Sequence, residues 1–215
     1  MVLSLTCTTP PHCSYNAEAS CVLDTPLTIK VGGIMTFYMD LRQWRSVAEF
    51  TQHLAQHHPS IAPWARGVVL HHTVSPTLAT WQGAKTMQSM ANYYARLGWD
   101  RGPHLFIAVG SRSKSLDGIW QMTPLNMKGI HATTANSWAW GIEVVGNYDA
   151  SPWSTETHVM VQGATIALMD WRGITVSAQS LIGHREVPSP KTCPGRMVDM
   201  NRIRADFYVA QRDDT

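Results

Sequence analysis

Short apolar segments rich in β-branched residues alternate along this chain with longer segments of helical period, and this alternation strongly restricts the possible folds. Residues 67–74, 105–109 and 141–146 are each predicted to form a buried strand. A turn at Asp117-Gly118 predicts a further strand near residues 119–121, and a short strand is predicted over 180–184. Strands of this length that are apolar on both faces indicate a sheet covered on both sides.

Four segments have the spacing and the end signals of helices. They are predicted over residues 41–58, 78–97, 155–172 and 197–211. Asp40 and Ser154 are candidate N-terminal caps, and Gly98 and Gly173 are placed to end helices. Strands that alternate with helices are typical of the α/β class. We therefore predict a single α/β domain with a central mixed β-sheet flanked by helices.

The first 34 residues differ from the rest of the chain. They contain Thr-Thr-Pro-Pro, few charges and three of the four cysteines, namely Cys7, Cys13 and Cys21. We predict an irregular N-terminal extension over residues 1–34 and the folded domain over 35–215; an ordered arm packed on the domain is the alternative. The cysteines are too unevenly spread for a disulfide framework. Pairing among the three early cysteines and a reduced state both stay open.

Charge and hydropathy exclude several classes of partner. The net charge of +2 is too small to indicate nucleic acid binding. No apolar run approaches the roughly 18 residues that span a membrane. The N-terminus lacks a basic segment followed by an apolar one, so we expect no conventional signal peptide and synthesis in the cytoplasm. We also expect a monomer.

Histidine and cysteine side chains recur in separate segments with the character of zinc ligands. His184 follows a predicted strand, and Cys193 lies nine residues later in a proline-rich loop. Imidazole and thiolate both suit Zn²⁺. His71 and His72 lie in one strand and point to opposite faces, so only one of them can join a given site. Three such ligands would leave a fourth position open, as in catalytic zinc sites; a packing histidine and a buried thiol are the alternative.

Glu143 lies in the middle of a strongly apolar strand. A buried carboxylate is unfavourable unless it has a partner or a catalytic role. The sequence leaves two interpretations open: a general base beside a metal-activated water, or a side chain on a solvent-facing side of the sheet.

The chain resembles the type 2 N-acetylmuramoyl-L-alanine amidases, a family that includes phage endolysins, cytoplasmic wall-recycling amidases and animal peptidoglycan recognition proteins. The resemblance covers roughly residues 64–200. Three segments in the family's order carry it: the strand ending His71-His72-Thr73, the stretch from Gly129-Ile130-His131 to Gly141-Ile142-Glu143-Val144-Val145-Gly146, and Gly183-His184 through Lys191-Thr192-Cys193-Pro194-Gly195. It implies an amidase-like fold and assigns the zinc amidase catalytic domain to residues 35–215.

The resemblance also implies roles for individual residues. His71, His184 and Cys193 match the zinc ligands, which leaves His72 facing away as a structural residue. Glu143 matches an acidic residue that activates water in some members, and Lys191 matches a lysine that stabilises the developing oxyanion.

The segment before the strand of Glu143 matches one that borders the substrate groove in the family. His131, Asn136 and Trp138 are therefore predicted to contact substrate, although core packing is the alternative for Trp138. In one respect the chain departs from many phage members, which have a catalytic tyrosine at the position of Pro103. Because Pro103 has no hydroxyl group, the catalytic role is assigned more strongly to Glu143. His104, which follows Pro103, is interpreted as a buried packing residue.

The implied activity is zinc-dependent hydrolysis of the amide between N-acetylmuramic acid and L-alanine in peptidoglycan, the expected partner. A phage or prophage endolysin that reaches the wall after release is predicted, with action on cytoplasmic wall fragments as another route. Three alternatives remain: a non-catalytic peptidoglycan-binding module, a peptidase acting within the stem peptide, and a structural zinc site. The chain has no His-Glu-x-x-His motif, which disfavours the peptidase.

Overall fold

A six-stranded sheet lies at the centre of the protein in the computed structural model, which describes residues 27–31, 35–188 and 190–213. The strand order is β3-β6-β5-β7-β4-β8. Strands β5, β7, β4 and β8 run parallel to one another, whereas β6 is antiparallel to both of its neighbours, so the sheet is mixed, as predicted. The strands are β3 (Arg42–Trp44), β4 (Gly67–His72), β5 (Leu105–Ala108), β6 (Gly118–Gln121), β7 (Ala139–Val144) and β8 (Leu181–Gly183).

Helices cover the sheet on both faces, as the apolar strands predict. The helices are α1 (Val47–Ala55), α2 (Ala84–Arg96), α3 (Thr155–Arg172) and α4 (Met200–Asp213). Alternate residues of β5 pack into two separate hydrophobic cores. Leu105 and Ile107 pack with α1, α3 and α4, whereas Phe106 and Ala108 pack with α2. Among the described residues, no helix combines the length and the apolar character that a bilayer crossing requires.

Helix α3 spans residues 155–172, which confirms its predicted bounds. The residues at its two ends specify where it begins and where it stops. The Ser154 hydroxyl accepts a hydrogen bond from the Thr157 N–H at 3.1 Å. Gly173 ends the helix in the left-handed conformation with φ +71°, which glycine adopts without steric cost.

The predicted helix over 41–58 was wrong at its start. Residues Arg42–Trp44 pair with β6 as an edge strand, and Ser46 rather than Asp40 caps α1. The predicted helix over 78–97 begins later, at Ala84, because Gly83 has φ +55° and ψ −127°, which no helix contains. In both cases, backbone pairing or conformation overrides a helical side-chain period.

A two-stranded antiparallel sheet lies at the start of the described chain. Strand β1 (Leu27–Val31) pairs with β2 (Met35–Met39). Residues 27–31 are therefore not irregular, although they fall in the range predicted to be so. The predictions for residues 1–26 and 32–34, including Cys7, Cys13 and Cys21, lie outside the described residues. Phe37 and Met39 pack into the core against α2, which ties β2 to the domain.

Candidate metal centre and active site

The parallel pairing of three strands brings His71 and His184 together. Strand β4 lies between β7 and β8, and Leu70 is in register with Gly183, the residue before His184. The two imidazoles meet with ring centroids 4.6 Å apart, and their Nδ1 atoms are separated by 3.1 Å. Both side chains are buried, with 2% and 7% exposure. The histidines that are 113 positions apart in sequence therefore present two nitrogen atoms to one point.

Cys193 completes a set of three ligand atoms. The nearest nitrogen atoms of His71 and His184 and the Cys193 sulfur all lie within 4.8 Å of one another. The thiol is half-buried and free of disulfide bonding, and it lies 3.9 Å from the His72 carbonyl oxygen. The predicted ligands are thus the residues that the structure brings together.

This set fits zinc in donor type and spacing. In tetrahedral coordination with Zn–N bonds of about 2.0–2.1 Å, two nitrogen ligands lie about 3.3 Å apart, and the two Nδ1 atoms are 3.1 Å apart. Among the described residues, no fourth histidine, cysteine or carboxylate joins the group. Three protein ligands with room for a fourth are the pattern of a catalytic rather than a structural zinc site.

Burial keeps the two imidazoles in the form that binds a metal. Desolvation is the main reason that the pKa of His71 lies well below its ordinary value, and the neighbouring histidines lower it further. Desolvation also lowers the pKa of His184, with a smaller contribution from Lys191. Both rings are therefore neutral at physiological pH, and neither has to lose a net positive charge before a cation binds; the Cys193 thiol, whose pKa burial raises, would lose its proton on binding.

Glu143 lies beside the ligand set with an unused oxygen atom. It is the in-register neighbour of His71 on β7, and its Oε1 is 4.0 Å from His71 Nδ1. Its Oε2 is buried and has no hydrogen-bond partner among the described residues. Burial raises the pKa of Glu143 to about 8, so the metal-free protein carries a neutral carboxyl there. The contact with His71 is therefore not an ion pair; a dication in the ligand set would favour the carboxylate.

Lys191 lies on the exposed rim of the same loop, two residues before Cys193. Its ammonium charge lowers the pKa of His184 and opposes the effect of burial, which raises the pKa of the Cys193 thiol. The field of this cation therefore reaches the ligand set, where it can stabilise negative charge.

A half-buried arginine, Arg185, holds the loop that carries Cys193. The Arg185 guanidinium donates hydrogen bonds to the carbonyl oxygens of Gly195 and Val198, both at 2.6 Å. Its backbone N–H donates to the Cys193 carbonyl oxygen at 3.0 Å. Sequence reasoning missed this role of Arg185, because its hydrogen-bond partners are backbone carbonyl oxygens, which give no signal in the sequence.

Asp149 anchors the same loop from a second side. Its Oδ2 accepts a hydrogen bond from the Thr192 hydroxyl at 2.9 Å, and its Oδ1 accepts one from the Arg196 N–H at 2.8 Å. Asp149 follows β7 by five residues, and its sequence context gives no sign of this contact. The loop position of Cys193 is thus fixed by groups from two other parts of the chain.

The three predicted substrate contacts occupy different positions. His131 is buried between His71 and the backbone of β7, and both of its ring nitrogen atoms are engaged there. The Asn136 Oδ1 accepts hydrogen bonds from the N–H groups of His131 and Ala132 at 2.8 and 2.7 Å, which holds the preceding turn. These partners give His131 and Asn136 structural roles, and contact with substrate stays a prediction for both.

Trp138 lies near the opposite end of the parallel strands from the metal ligands. It is half-buried, precedes β7, and packs on the cluster of Val69 and Ala139. It lies five positions before Glu143, or about 16 Å along an extended strand. It lines a cavity of about 600 Å³ together with Trp64, Arg66, Lys128, Ser137, Gln179 and Ser180. Its predicted contact with substrate would therefore lie far from the reacting bond.

His72 and His104 have the structural positions that the sequence predicts. His72 points away from the ligand set, and its Nδ1 accepts a hydrogen bond from the Tyr148 N–H at 3.0 Å. His104 is fully buried beside Pro103; its Nδ1 accepts from the Gly141 N–H and its Nε2 donates to the Met127 carbonyl oxygen, both at 2.9 Å. Burial lowers the pKa of His104 to about 3, which keeps it neutral.

The chain is similar to known proteins over most of this domain. The family model described as N-acetylmuramoyl-L-alanine amidase matches residues 61–196. Peptidoglycan-recognition protein SC2 of Drosophila melanogaster is 32% identical over 149 residues, which cover 67% of this chain and 76% of that protein. Two solved structures from Clostridium intestinale share the fold. The amidase LysC is 25% identical with a TM-score of 0.54, covering 66% of this chain and 85% of LysC.

The second structure is the endolysin amidase LysCS. It is 26% identical with a TM-score of 0.52, covering 66% of this chain and 83% of LysCS. The matched range contains His71, Glu143, His184 and Cys193, so the family resemblance and the geometric cluster coincide. The chain therefore belongs to the N-acetylmuramoyl-L-alanine amidase family.

Proposed function

We propose that this protein is a zinc-dependent amidase that hydrolyses the bond between the lactyl group of N-acetylmuramic acid and L-alanine in peptidoglycan. One observation carries the proposal: three ligand atoms lie within 4.8 Å of one another beside a buried carboxyl whose second oxygen has no partner among the described residues. Ligands, a proton acceptor and a nearby cation are the parts that metal-assisted amide hydrolysis requires.

The ligands would be His71, His184 and Cys193, and zinc bound by them would supply a Lewis acid and a water of lowered pKa. Glu143 takes the proton from the attacking water, since its Oε1 lies 4.0 Å from the candidate ligand atom His71 Nδ1. The same carboxyl then returns that proton to the departing amine of L-alanine. Because the site is largely buried, each charge acts in a weakly polar environment and has a larger effect than in water.

Lys191 stabilises the negative charge that develops on the lactyl carbonyl oxygen. Its side chain is exposed, so it can reach over a bound substrate, and its charge already acts on His184 and Cys193. Loss of one such electrostatic contact typically lowers the rate by about 10²–10³.

Digestion of purified peptidoglycan tests the proposal. The protein with added zinc should release stem peptides that begin with a free L-alanine amine, which mass spectrometry identifies. A chelator should stop the release, and zinc should restore it. Cys193→Ser should bind less zinc and release less peptide. Peptides cut within the stem, or release that a chelator does not affect, would contradict the proposal.

A non-catalytic recognition module is the second candidate, because some relatives are named as peptidoglycan-recognition proteins. In that case the protein would sediment with insoluble peptidoglycan and leave it uncut, with or without zinc. The unpaired Glu143 carboxyl beside the ligand atoms favours catalysis, since a purely structural zinc site has no use for it.

We further propose a role as a phage or prophage endolysin. The similarity to the endolysin amidase LysCS supports this role. The purified protein should clear a suspension of bacterial walls and lyse cells whose outer membrane has been permeabilised. Cleavage of soluble muramyl peptides without any clearing of intact walls would indicate a recycling amidase instead.

A further inference from the structure

A chain of hydrogen bonds runs from the ligand His71 into the interior of the domain. His71 Nε2 lies 3.0 Å from His131 Nδ1. His131 Nε2 lies 3.0 Å from the carbonyl oxygen of Ala139, the first residue of β7. All of these contacts are buried, so water does not compete for them.

The end of this chain determines where each proton resides. A carbonyl oxygen only accepts hydrogen bonds, so His131 Nε2 carries the proton. The neutral His131 ring then has a lone pair at Nδ1, and that lone pair can only accept from His71 Nε2–H. The neutral His71 ring in turn has its lone pair at Nδ1, the atom that lies 3.1 Å from His184 Nδ1. The Ala139 carbonyl thereby selects the metal-binding tautomer of His71 through one intervening ring.

The position of the His131 ring is fixed by its neighbours. A Cβ atom at Gly141 would lie 2.6 Å from the His131 Cγ, so the ring occupies space that only glycine leaves free. The edge of the ring also meets His104, with centroids 5.8 Å apart and planes at 73°. The hydrogen bond that the His131 N–H donates to the Asn136 Oδ1 holds the backbone at residue 131. The ring is therefore packed in one orientation before any ligand binds.

We propose that His131 is a positioning residue that fixes the tautomer and orientation of His71 for zinc, and that it does not contact substrate. The inference rests on the zinc site of the proposed function but not on the bond that is hydrolysed. Partners that orient metal-bound histidines in this way typically contribute a factor of about 10–100 to metal affinity.

The variant His131→Phe tests the proposal, because phenylalanine keeps the ring volume and removes the acceptor for His71 Nε2–H. Competition with a chromophoric chelator should show zinc affinity lowered about 10–100-fold. In His131→Asn the amide oxygen can replace Nδ1 as acceptor, so part of the affinity should return. The control is Gln211→Leu, which removes another buried side chain with several hydrogen bonds, all of them to Asp170, Ile174 and Val176, and should leave zinc affinity within about threefold.

A second measurement does not depend on a variant that folds. Long-range ¹H–¹⁵N spectra of the wild-type, metal-free protein should show His71 protonated at Nε2 and His131 protonated at Nε2. A His71 ring protonated at Nδ1 would overturn the proposal, as would unchanged zinc affinity in His131→Phe or an equal loss in Gln211→Leu. If His131→Phe loses affinity while the wild type leaves peptidoglycan uncut, the positioning role stands and the proposed function fails. If the wild type cuts peptidoglycan and His131→Phe binds zinc normally, the proposed function stands and the positioning role of His131 fails.

Discussion

Glu143 and His71 lie side by side on neighbouring strands, and burial acts on their pKa values in opposite directions. It raises that of the carboxyl to about 8 and lowers that of the imidazole, so both groups are neutral in the metal-free protein. A cation among the ligands stabilises the carboxylate and binds the neutral imidazole. Zinc bound there would therefore convert Glu143 from a neutral carboxyl to a proton acceptor.

At the scale of single residues, the variant Glu143→Gln should keep the shape of the site and lose its proton acceptor. We expect the turnover number on peptidoglycan fragments to fall about 10²–10⁴-fold, whereas zinc content by elemental analysis stays at the wild-type level. Glu156→Gln removes an exposed carboxylate at the start of α3 and serves as the control. Wild-type turnover in Glu143→Gln would exclude it as the base.

His104 should make the metal-free protein sensitive to acid. Its pKa is about 3 in the folded protein, compared with an ordinary value of 6.5 for an exposed histidine. As the pH falls, the unfolded chain therefore binds the proton before the folded protein does. Its contribution to stability is present above pH 6.5 and is lost as pH falls towards 3.

Denaturant unfolding of the wild type and His104→Asn in the presence of a chelator measures this contribution. The stability difference between the two proteins should narrow by about 3 kcal/mol between pH 6.5 and pH 4. A difference that stays constant over this range would show that His104 is not responsible.

At the scale of elements, the sequence predicts the helices and strands that their own residues specify. It does not predict an element that forms only by pairing with a distant strand. Strand β4 and helix α3 are specified by their own residues, and their predicted positions hold. The strand at Arg42–Trp44 has a helical side-chain period and is recruited by β6 from more than 70 residues away, which no local pattern reveals. The cluster of His71, His184 and Cys193 was predictable because these residue types suit zinc and their segments match a family.

The residues that hold the candidate ligands in place could not be found from residue type or from the family resemblance. Arg185 acts through carbonyl oxygens, which every residue possesses, so its partners leave no mark in the sequence. His131 lies in a segment that borders the groove in relatives, and only the structure shows its ring turned inward towards His71. Spatial neighbours, rather than residue types, define these roles.

The loop with Cys193 should lose its fixed position when Arg185 is replaced. In Arg185→Ala, two carbonyl oxygens lose short bonds to a charged donor, each of which stabilises by about 1.5–3 kcal/mol. We expect weaker zinc binding and a lower melting temperature. Arg172→Ala is the matched control, since Arg172 donates to the carbonyl oxygens of Ala62 and Pro63 in a loop that carries no ligand. It should lower stability without weakening zinc binding; equal effects on zinc in both variants would contradict a specific role.

For the whole molecule, the metal would link β4, the end of β8 and the loop before α4. Zinc at 1,000 times its dissociation constant stabilises the folded state by about 4 kcal/mol. Calorimetry should therefore show a melting temperature that rises with zinc concentration in the wild type. Cys193→Ser should shift little over the same range, and an equal shift would place the bound zinc elsewhere.

The placement of β8 beside β4 has a consequence for biosynthesis. His71 and Cys193 are 122 positions apart (193 minus 71), and strand β8, which adjoins β4 at the sheet edge, is the last strand within the described part of the chain. A ribosome adding about 5–20 residues per second needs roughly 6–24 s to travel that distance. A nascent chain therefore cannot assemble the three candidate ligands until residue 193 has been synthesised, well after strand β4 has left the ribosome.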